Sequence, residues 1–292
     1  MDLNEYQADW FLRYGHICRK RQTDQQKARF IHSLLIDLQQ IRSDIRIVEA
    51  RNVDSNGVLS RNIYVGDVKN ASVIYATYYD TPHYHLGPYF FMNRAKQSRQ
   101  TLVLNFISSL GLILIGVVFT LKIAIPYMSR DEHLWYTWGI MATSYFGITW
   151  LIGKLATGIP SRYTLIRNTS SLLWLLNFIS LNKSSHIAFA FLDNGVTNEH
   201  GLQSLLISTQ RRAKIVHFDS VGANAPLYVE TNGRLQVLDE AIHQYQHGLI
   251  RVMAGQAEGQ TIRLSQSMLK DTNLNQNNLN LLTKLFTKED EK

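Results

Sequence analysis

The chain has almost no cysteine. Cys18 stands alone among 292 residues, so no disulfide can close within the chain, and the composition suits a reducing compartment. It also lacks a secretory signal. Met1–Arg21 is polar and charged, without the apolar central stretch that a signal needs. Targeting is therefore expected to come from inside the chain. There is no glycine-rich phosphate loop, no Gly-x-Ser-x-Gly elbow and no His-Glu-x-x-His pair. The net charge is +7, yet no basic stripe with interleaved aromatics accompanies it, so nucleic acid is not an expected partner. No internal repeat or low-complexity tract is found.

The most informative absence is that of charge. Thr101–Leu121 holds no charged residue and is dominated by Leu, Ile, Val and Phe. Leu134–Gly153 is a second uncharged stretch, with Trp135, Tyr136 and Trp138 at its start and Trp150 near its end. A helix needs about 20 apolar residues to cross the ~30 Å hydrocarbon layer, and both stretches reach that length. The link Ser129–His133 is short and polar. The pattern predicts a transmembrane helical hairpin over 101–156, with spans at about 101–121 and 134–153. Two buried helices of a large soluble core are the competing reading, but charge-free runs of this length are rare there. Trp and Tyr near the ends suit interfacial anchoring. Lys122 is placed to snorkel to the headgroups, and Pro126 to end or kink the helix.

Flanking charge sets the expected orientation. Arg94, Lys96 and Arg99 precede the first span, and Lys154, Arg162 and Arg167 follow the second. The link has Arg130 against Asp131 and Glu132. Positive flanks stay inside, so the chain is expected in the cell membrane with two spans and both termini cytoplasmic. Bases near the spans and at Arg211 and Arg212 suggest affinity for the anionic inner leaflet. The lipid bilayer is thus the first expected partner. Gly111, Gly116, Gly139 and Gly147 supply small residues for contact with other membrane helices, though not at Gly-x-x-x-Gly spacing.

The polar remainder, 1–100 and 157–292, reads as one discontinuous α/β domain. Helices are expected over Asn4–Lys20, after a Thr23 cap, after an Asn168 or Thr169 cap, and over Glu199–Ser208, Leu238–Tyr245 and Leu274–Leu285. Strands are expected over Ile45–Ala50, Asn62–Gly66, Ala71–Tyr79, His186–Leu192, Lys214–Phe218, Tyr228–Glu230 and Ile250–Ala254, with a turn at Asp54–Gly57. Strands alternating with helices imply a sheet covered on both faces. Ligand groups then gather at the carboxyl ends of strands, where Asp80, Asp219 and the loop Asp193–His200 fall.

Several segments, in order, resemble the di-zinc aminopeptidase family, peptidase family M-28. Lys27-Ala28 with its helix looks like the family's opening helix. Ser60-Arg61-Asn62-Ile63 followed by Val73-Ile74-Tyr75-Ala76-Thr77-Tyr78-Tyr79-Asp80-Thr81-Pro82 is similar to the strand delivering its His-x-Asp pair. Arg167-Asn168-Thr169-Ser170-Ser171 resembles its Asp-Asn-x-Ser-Gly helix start, and Asn198–Ser204 its Glu-Glu-x-Gly-Leu turn. His217–Gly222 resembles its Asp-Met-x-Gly strand end, and Lys270-Asp271-Thr272 its closing segment. The resemblance implies an aminopeptidase-like fold, a mixed central sheet flanked by helices, here interrupted by the hairpin.

The donors the resemblance calls for are largely replaced. Two zinc ions about 3.5–4 Å apart need imidazoles, a bridging carboxylate and a carboxylate base. The first His ligand falls on Tyr78, whose phenol titrates near ~10. Asp80 remains with no imidazole to orient. The bridging Asp falls on Arg167, the general-base Glu on Asn198 and the closing His on Ser267. Two ligand positions keep carboxylates, Glu199 and Asp219.

The expected function is therefore a membrane-anchored, aminopeptidase-like domain that has lost zinc-dependent catalysis and acts by binding a peptide or a membrane protein. No cofactor is expected. Arg167 is expected to pair with Asp80, Glu199 or Asp219 as a salt-bridged remnant of the metal site. The alternative is an active zinc metallopeptidase with a rearranged site built from Asp80, Glu199, Asp219 and one or more of His83, His85 and His200. These histidines also have an ordinary reading, in a polar loop and on a helix's first turn.

Overall fold

The structure, a computed structural model, describes residues 3–51, 59–91, 93–128, 135–156, 158–196, 198–210 and 212–290. The expected turn at Asp54–Gly57, the hairpin link and Arg211 lie outside the described residues. The chain divides into two compact units. One comprises Met1–Pro82, Pro88–Met92 and Arg162–Lys292, the other His83–Gly87 and Asn93–Ser161.

In the first unit, α1 (Leu3–Leu12) passes into a π-helical turn, Arg13–Ile17. The expected Asn4–Lys20 helix is thus shorter and changes pitch. Arg13 and Tyr14, inside the wider turn, both bond Asp37 of the next helix. That helix, α2 (Asp24–Ile41), starts on a complete capping box between Thr23 and Gln26, a device worth about 1 kcal/mol. It buries Phe30, Ile31, Leu34 and Leu38 at helical spacing.

The strands follow as β1 (Ile45–Arg51), β2 (Leu59–Val65), β3 (Val73–Tyr78) and the short β4 (Tyr89–Phe90). After the second unit come α6 (Ser170–Leu181), β5 (Ile187–Leu192), α7 (His200–Ser208) and β6 (Lys214–Asp219). The chain then forms β7 (Leu227–Thr231), β8 (Arg234–Val237), β9 (Gly248–Ala254), β10 (Gln256–Glu258), β11 (Thr261–Leu264), α8 (Gln266–Leu269) and α9 (Gln276–Asp290).

Eight strands form one mixed sheet in the order β1-β2-β5-β3-β6-β9-β7-β8. Its centre, β5-β3-β6-β9, is parallel, and the outer pairings are antiparallel. The central strands are apolar throughout because both faces are covered. One face packs on α1, α2, α6 and α9 through Tyr14, Phe30, Tyr75, Phe178, Phe218 and Phe286. The other is smoother, with Ala76, Ala188 and Ala190 under Leu202 and Leu205 of α7. A second, antiparallel sheet runs β10-β11-β4.

Three sequence expectations change here. Leu238–Tyr245 is not an α-helix but a 3-10 turn over Glu240–Gln244. Leu238 is still tied to β7 through Leu227 at 2.9 Å, and β9 begins at Gly248, leaving little room for a helix. The last helix starts at Gln276 rather than Leu274, where Asn275 Oδ1 accepts from the Asn278 N–H. Neither Asn168 nor Thr169 caps α6 by its side chain; both are spent on contacts described below.

In the second unit, α3 (Arg94–Phe119) continues through a π-helical turn at Thr120–Ala124 into α4 (Ile125–Met128). The first span thus runs past its expected end at Leu121. Pro126 lacks an N–H and crowds the carbonyl one turn earlier, and the wider turn before it absorbs both defects without ending the helix. α5 (Trp135–Ala156) packs on α3. Phe119 meets Tyr145 edge-on at 5.7 Å, and the Thr120 and Tyr145 hydroxyls are 2.6 Å apart. Ile148 stands beside Gly116, so the two helices run antiparallel. Among the described residues one helix, Lys96–Met128, is long and apolar enough to cross a membrane. Of the two expected spans only this one meets that measure, because Trp, Tyr, Thr, Ser and Gly dilute the apolar residues of α5.

Candidate functional site

The parallel centre of the sheet brings the carboxyl ends of β5, β3, β6 and β9 to one edge, where α/β sheets gather ligand groups. Tyr78 ends β3 and Asp219 ends β6, and their side chains emerge on one face. The Tyr78 hydroxyl donates to Asp219 Oδ1 at 3.0 Å. Tyr89, carried in by β4, donates to Oδ2 at 2.9 Å. Ser220 Oγ lies 2.8 Å from Oδ1 and 3.0 Å from the Arg167 carbonyl oxygen, with one proton to share. Both carboxylate oxygens are therefore occupied by hydroxyls.

Arg167 completes the cluster. Its guanidinium carbon sits 3.7 Å from the centroid of the Tyr89 ring, in cation–π contact, and it is electrostatically coupled to Tyr78 and Asp219. Arg167, Tyr78, Tyr89 and Asp219 are all buried. Burial pushes Asp219 up from the ordinary carboxylate range, against the pull of Arg167 and the hydroxyl donors. Burial also raises the Tyr78 phenol, and the Asp219 charge adds to it. For Arg167 burial opposes the charge, but Tyr89, Tyr78 and Asp219 outweigh it and hold the guanidinium above its ordinary value. The expected salt bridge of Arg167 with Asp80, Glu199 or Asp219 is replaced by electrostatic coupling to Asp219 without a direct ion pair.

Asp80 does different work. Its two oxygens accept the backbone N–H groups of Gly195 at 2.9 Å and Val196 at 3.1 Å. It clamps the loop after β5. Burial raises its carboxyl to about 6; Lys27 opposes the rise and Asp193 adds to it. Lys27 in turn reaches Asp193 at 2.6 Å and Asn194 at 2.9 Å. Gly195 is required where it stands, since a Cβ there would lie 2.2 Å from the Tyr78 Cβ. Asn168 Nδ2 ties down the Tyr79 and Asp80 carbonyls at 3.2 and 2.6 Å, and Thr169 accepts from buried Arg21 at 2.6 Å. These bonds explain why neither residue caps α6.

The other predicted positions make different contacts. Glu199 precedes α7 in a left-handed conformation (φ 55°) and lies 3.9 Å from Arg251. Asn198 accepts from the His200 N–H at 3.3 Å, and His200 Nδ1 is 3.4 Å from Gln203 Oε1. Ser267 is exposed in α8, 2.7 Å from Ser265. His83 and His85 belong to the second unit. Left-handed non-glycine residues Asn194, Glu199 and Ser220 all flank the carboxyl edge, each held there at a cost of order 1 kcal/mol.

Tyr89 and Arg21 were not foreseen. β4 is two residues long and gives no periodic signal, and Arg21 reads as an ordinary surface base. In fact Arg21 is fully buried. Burial lowers its pKa to about 10, with Asp80 opposing.

The donor set does not fit a zinc ion. Asp219 already accepts from two phenols and lies beside the Ser220 hydroxyl, and a metal there would face the Arg167 charge. Among the described residues no three His, Cys, Asp or Glu side chains gather as ligands.

By sequence, neither a known protein family nor a curated protein matches the chain. By structure, the fold is that of peptidase-like and glutaminyl cyclase domains. A glutaminyl cyclase from Porphyromonas gingivalis superposes with a TM-score of 0.54 at 9% identity, covering 99% of this chain and 98% of that one. A Zn-dependent exopeptidase from Parabacteroides distasonis gives 0.52 at 13%, covering 99% and 96%. A glutaminyl cyclase from Tannerella forsythia gives 0.50 at 11%, covering 98% and 96%. At such identities the likeness is one of fold alone.

Proposed function

We propose that this chain is a membrane-anchored, aminopeptidase-like domain that has lost zinc-dependent catalysis and acts by binding, to a peptide or to another membrane protein. The observation that carries the reading is the engagement of Asp219 by Tyr78 and Tyr89 beneath the Arg167 guanidinium. Water activation by metal needs an open coordination position and several donors. Here the one central carboxylate is already satisfied and its neighbour is a cation. The apolar helix Lys96–Met128 supports the anchor. In this reading α5 completes a second crossing, and both termini lie in the cytoplasm, as the flanking bases favour.

The test is metal content and turnover of the purified full chain. Zinc well below stoichiometry is expected, with neither hydrolysis of aminoacyl substrates nor glutaminyl cyclisation above background. Stoichiometric zinc with chelator-sensitive turnover would replace this reading by that of a rearranged metallopeptidase.

A further inference from the structure

Helices α1 and α6 and the start of α9 line a cavity of about 350 Å³ in the first unit. None of Arg167, Tyr78, Tyr89 and Asp219 borders it. Its walls include Trp10 and Trp174, which are 3% and 2% exposed. The Trp174 indole N–H donates to Thr283 Oγ1 at 3.1 Å, and that hydroxyl donates to the Leu279 carbonyl at 2.9 Å. These polar groups are spent on one another. The Trp10 indole N–H donates to no described residue, although a buried indole ordinarily finds an acceptor. Gln7, Gln276 and Asn280 also line the cavity and are exposed, so they mark its mouth. Gln7 is bonded to Asn177 at 2.8 Å. The Gln276 and Asn280 side chains make no hydrogen bond with any described residue.

No charged side chain is among the described residues that line the cavity. A charged ligand would lose its hydration there without a counter-charge, which is costly. Ions and the charged ends of a peptide are thereby disfavoured, and a neutral ligand is favoured. The volume is near the lower end of the ~300–1,000 Å³ range of ligand sites, enough for one large side chain rather than an extended cofactor. Gln276 and Asn280 are one turn apart on α9, a rise of about 6 Å. Along an extended peptide, groups on one side repeat at about 6.6 Å. Each side-chain amide has both a donor and an acceptor, as a peptide group does. The two amides thus match successive same-side peptide groups of a strand laid along α9.

We propose that this cavity holds one large apolar side chain from an internal, uncharged and extended segment of a partner protein, whose backbone is bonded by Gln276 and Asn280. The side chain packs on Trp10 and Trp174, whose aromatic surface favours phenylalanine or leucine. The proposal rests on the reading of the chain as a binding domain, and it names where that domain binds and what it takes.

The test uses the full chain in phosphatidylcholine nanodiscs and three capped pentapeptides, Gly-Gly-Xaa-Gly-Gly with Xaa as Phe, Leu or Ala, titrated by saturation-transfer NMR. The Phe and Leu peptides are expected to bind, and the Ala peptide about tenfold or more weakly. Ala8 is exposed on α1 and lines the cavity, so Ala8→Phe should fill it and abolish binding while melting as the wild type does. Gln276→Ala/Asn280→Ala should weaken the Phe peptide by about fivefold for each amide removed. No binding of either apolar peptide, equal affinity for the Phe and Ala peptides, or full binding by Ala8→Phe would overturn the site. N-acetylphenylalaninamide spans a single residue; if it binds as tightly as the pentapeptide and is unaffected by the double variant, the extended-segment assignment falls in favour of a small neutral molecule. Zinc content and turnover are measured on the same sample. Stoichiometric zinc with turnover would bring down the non-catalytic reading, while the titrations decide the cavity on their own.

Discussion

The hydroxyl of Tyr78 donates to Asp219 Oδ1 at 3.0 Å, and the buried Arg167 guanidinium is electrostatically coupled to both groups. A carboxylate at the end of a central strand is thereby held beside a buried cation by a phenol that keeps its proton. The arrangement is self-sufficient: charge is balanced and both oxygens of the anion have donors. Its physical consequence is that the cluster contributes to folding as a unit and resists an incoming cation.

The unit can be taken apart by mutation. Removing one member of a buried ion pair strands the other, at a cost of about 3–5 kcal/mol. Arg167→Ala and Asp219→Asn are each expected to lower thermal stability strongly. In the Arg167→Ala/Asp219→Asn double variant neither stranded charge remains, so the loss should be smaller than the sum by about 0.5–3 kcal/mol. Melting curves of the four proteins measure the coupling, and strictly additive losses would show that the two groups do not act together.

Replacing the phenol by an imidazole does not restore a metal centre while Arg167 remains. Tyr78→His is expected to bind no more zinc than the wild type, because the guanidinium still lies beside Asp219. Tyr78→His combined with Arg167→Asp supplies an imidazole and a second carboxylate next to Asp219 and should take up zinc above background. Metal content after dialysis against zinc decides it. Uptake by the single variant would mean that Arg167 moves aside readily and that its charge does not guard the site.

How much of this could be read from the sequence depends on what kind of order is involved. β3, β5 and β6 are legible because strands buried on both faces must be apolar throughout, and α2 because Thr23 and Gln26 form a local cap. Asp80 and Asp219 at strand ends follow from the same pattern. The short strands β4, β8 and β10 are too brief to show a period. Tyr89 joins the cluster only because β4 pairs with β11, a partner more than 170 residues away in sequence. No local pattern reports such a contact. The resemblance placed Ser267 at the site as well, but the structure leaves it exposed beside Ser265.

Asp80 gives a pH dependence of known sign. Its folded-state pKa is raised to about 6 from an ordinary value of 3.8, burial being the main cause. The folded protein therefore keeps this proton at pH values where the unfolded chain has released it. The stability this contributes is fully present below about pH 4 and is lost as pH rises through 6. Asp80→Asn removes the titration but keeps one acceptor for the Gly195–Val196 loop. The stability of the wild type relative to Asp80→Asn should therefore fall between pH 4 and 7, read from denaturation midpoints at matched ionic strength. A difference that stays flat across that range would show that Asp80 does not hold a proton in the folded state.

The two helices of the second unit make separable predictions about the membrane. Leu114 lies deep in the apolar part of α3, and Phe146 occupies a comparable position in α5; both are exposed, at 57% and 72%. An arginine at the centre of a membrane-spanning helix costs about 2.5–3.5 kcal/mol of insertion free energy. Leu114→Arg should release a fraction of the chain to alkaline extraction, because no other helix among the described residues is apolar enough to replace α3. Phe146→Arg has the same effect only if α5 also crosses, since a helix lying along the surface can turn an arginine toward water. Reporters fused to each end give the independent reading. A crossing pair places both ends in the cytoplasm, as Arg94, Lys96 and Arg99 at the start of α3 and Arg162 after α5 favour. A C-terminal reporter that is active only outside the cell would overturn the spanning reading, because β3 before the second unit and β5 and β6 after it share one sheet and must lie in one compartment.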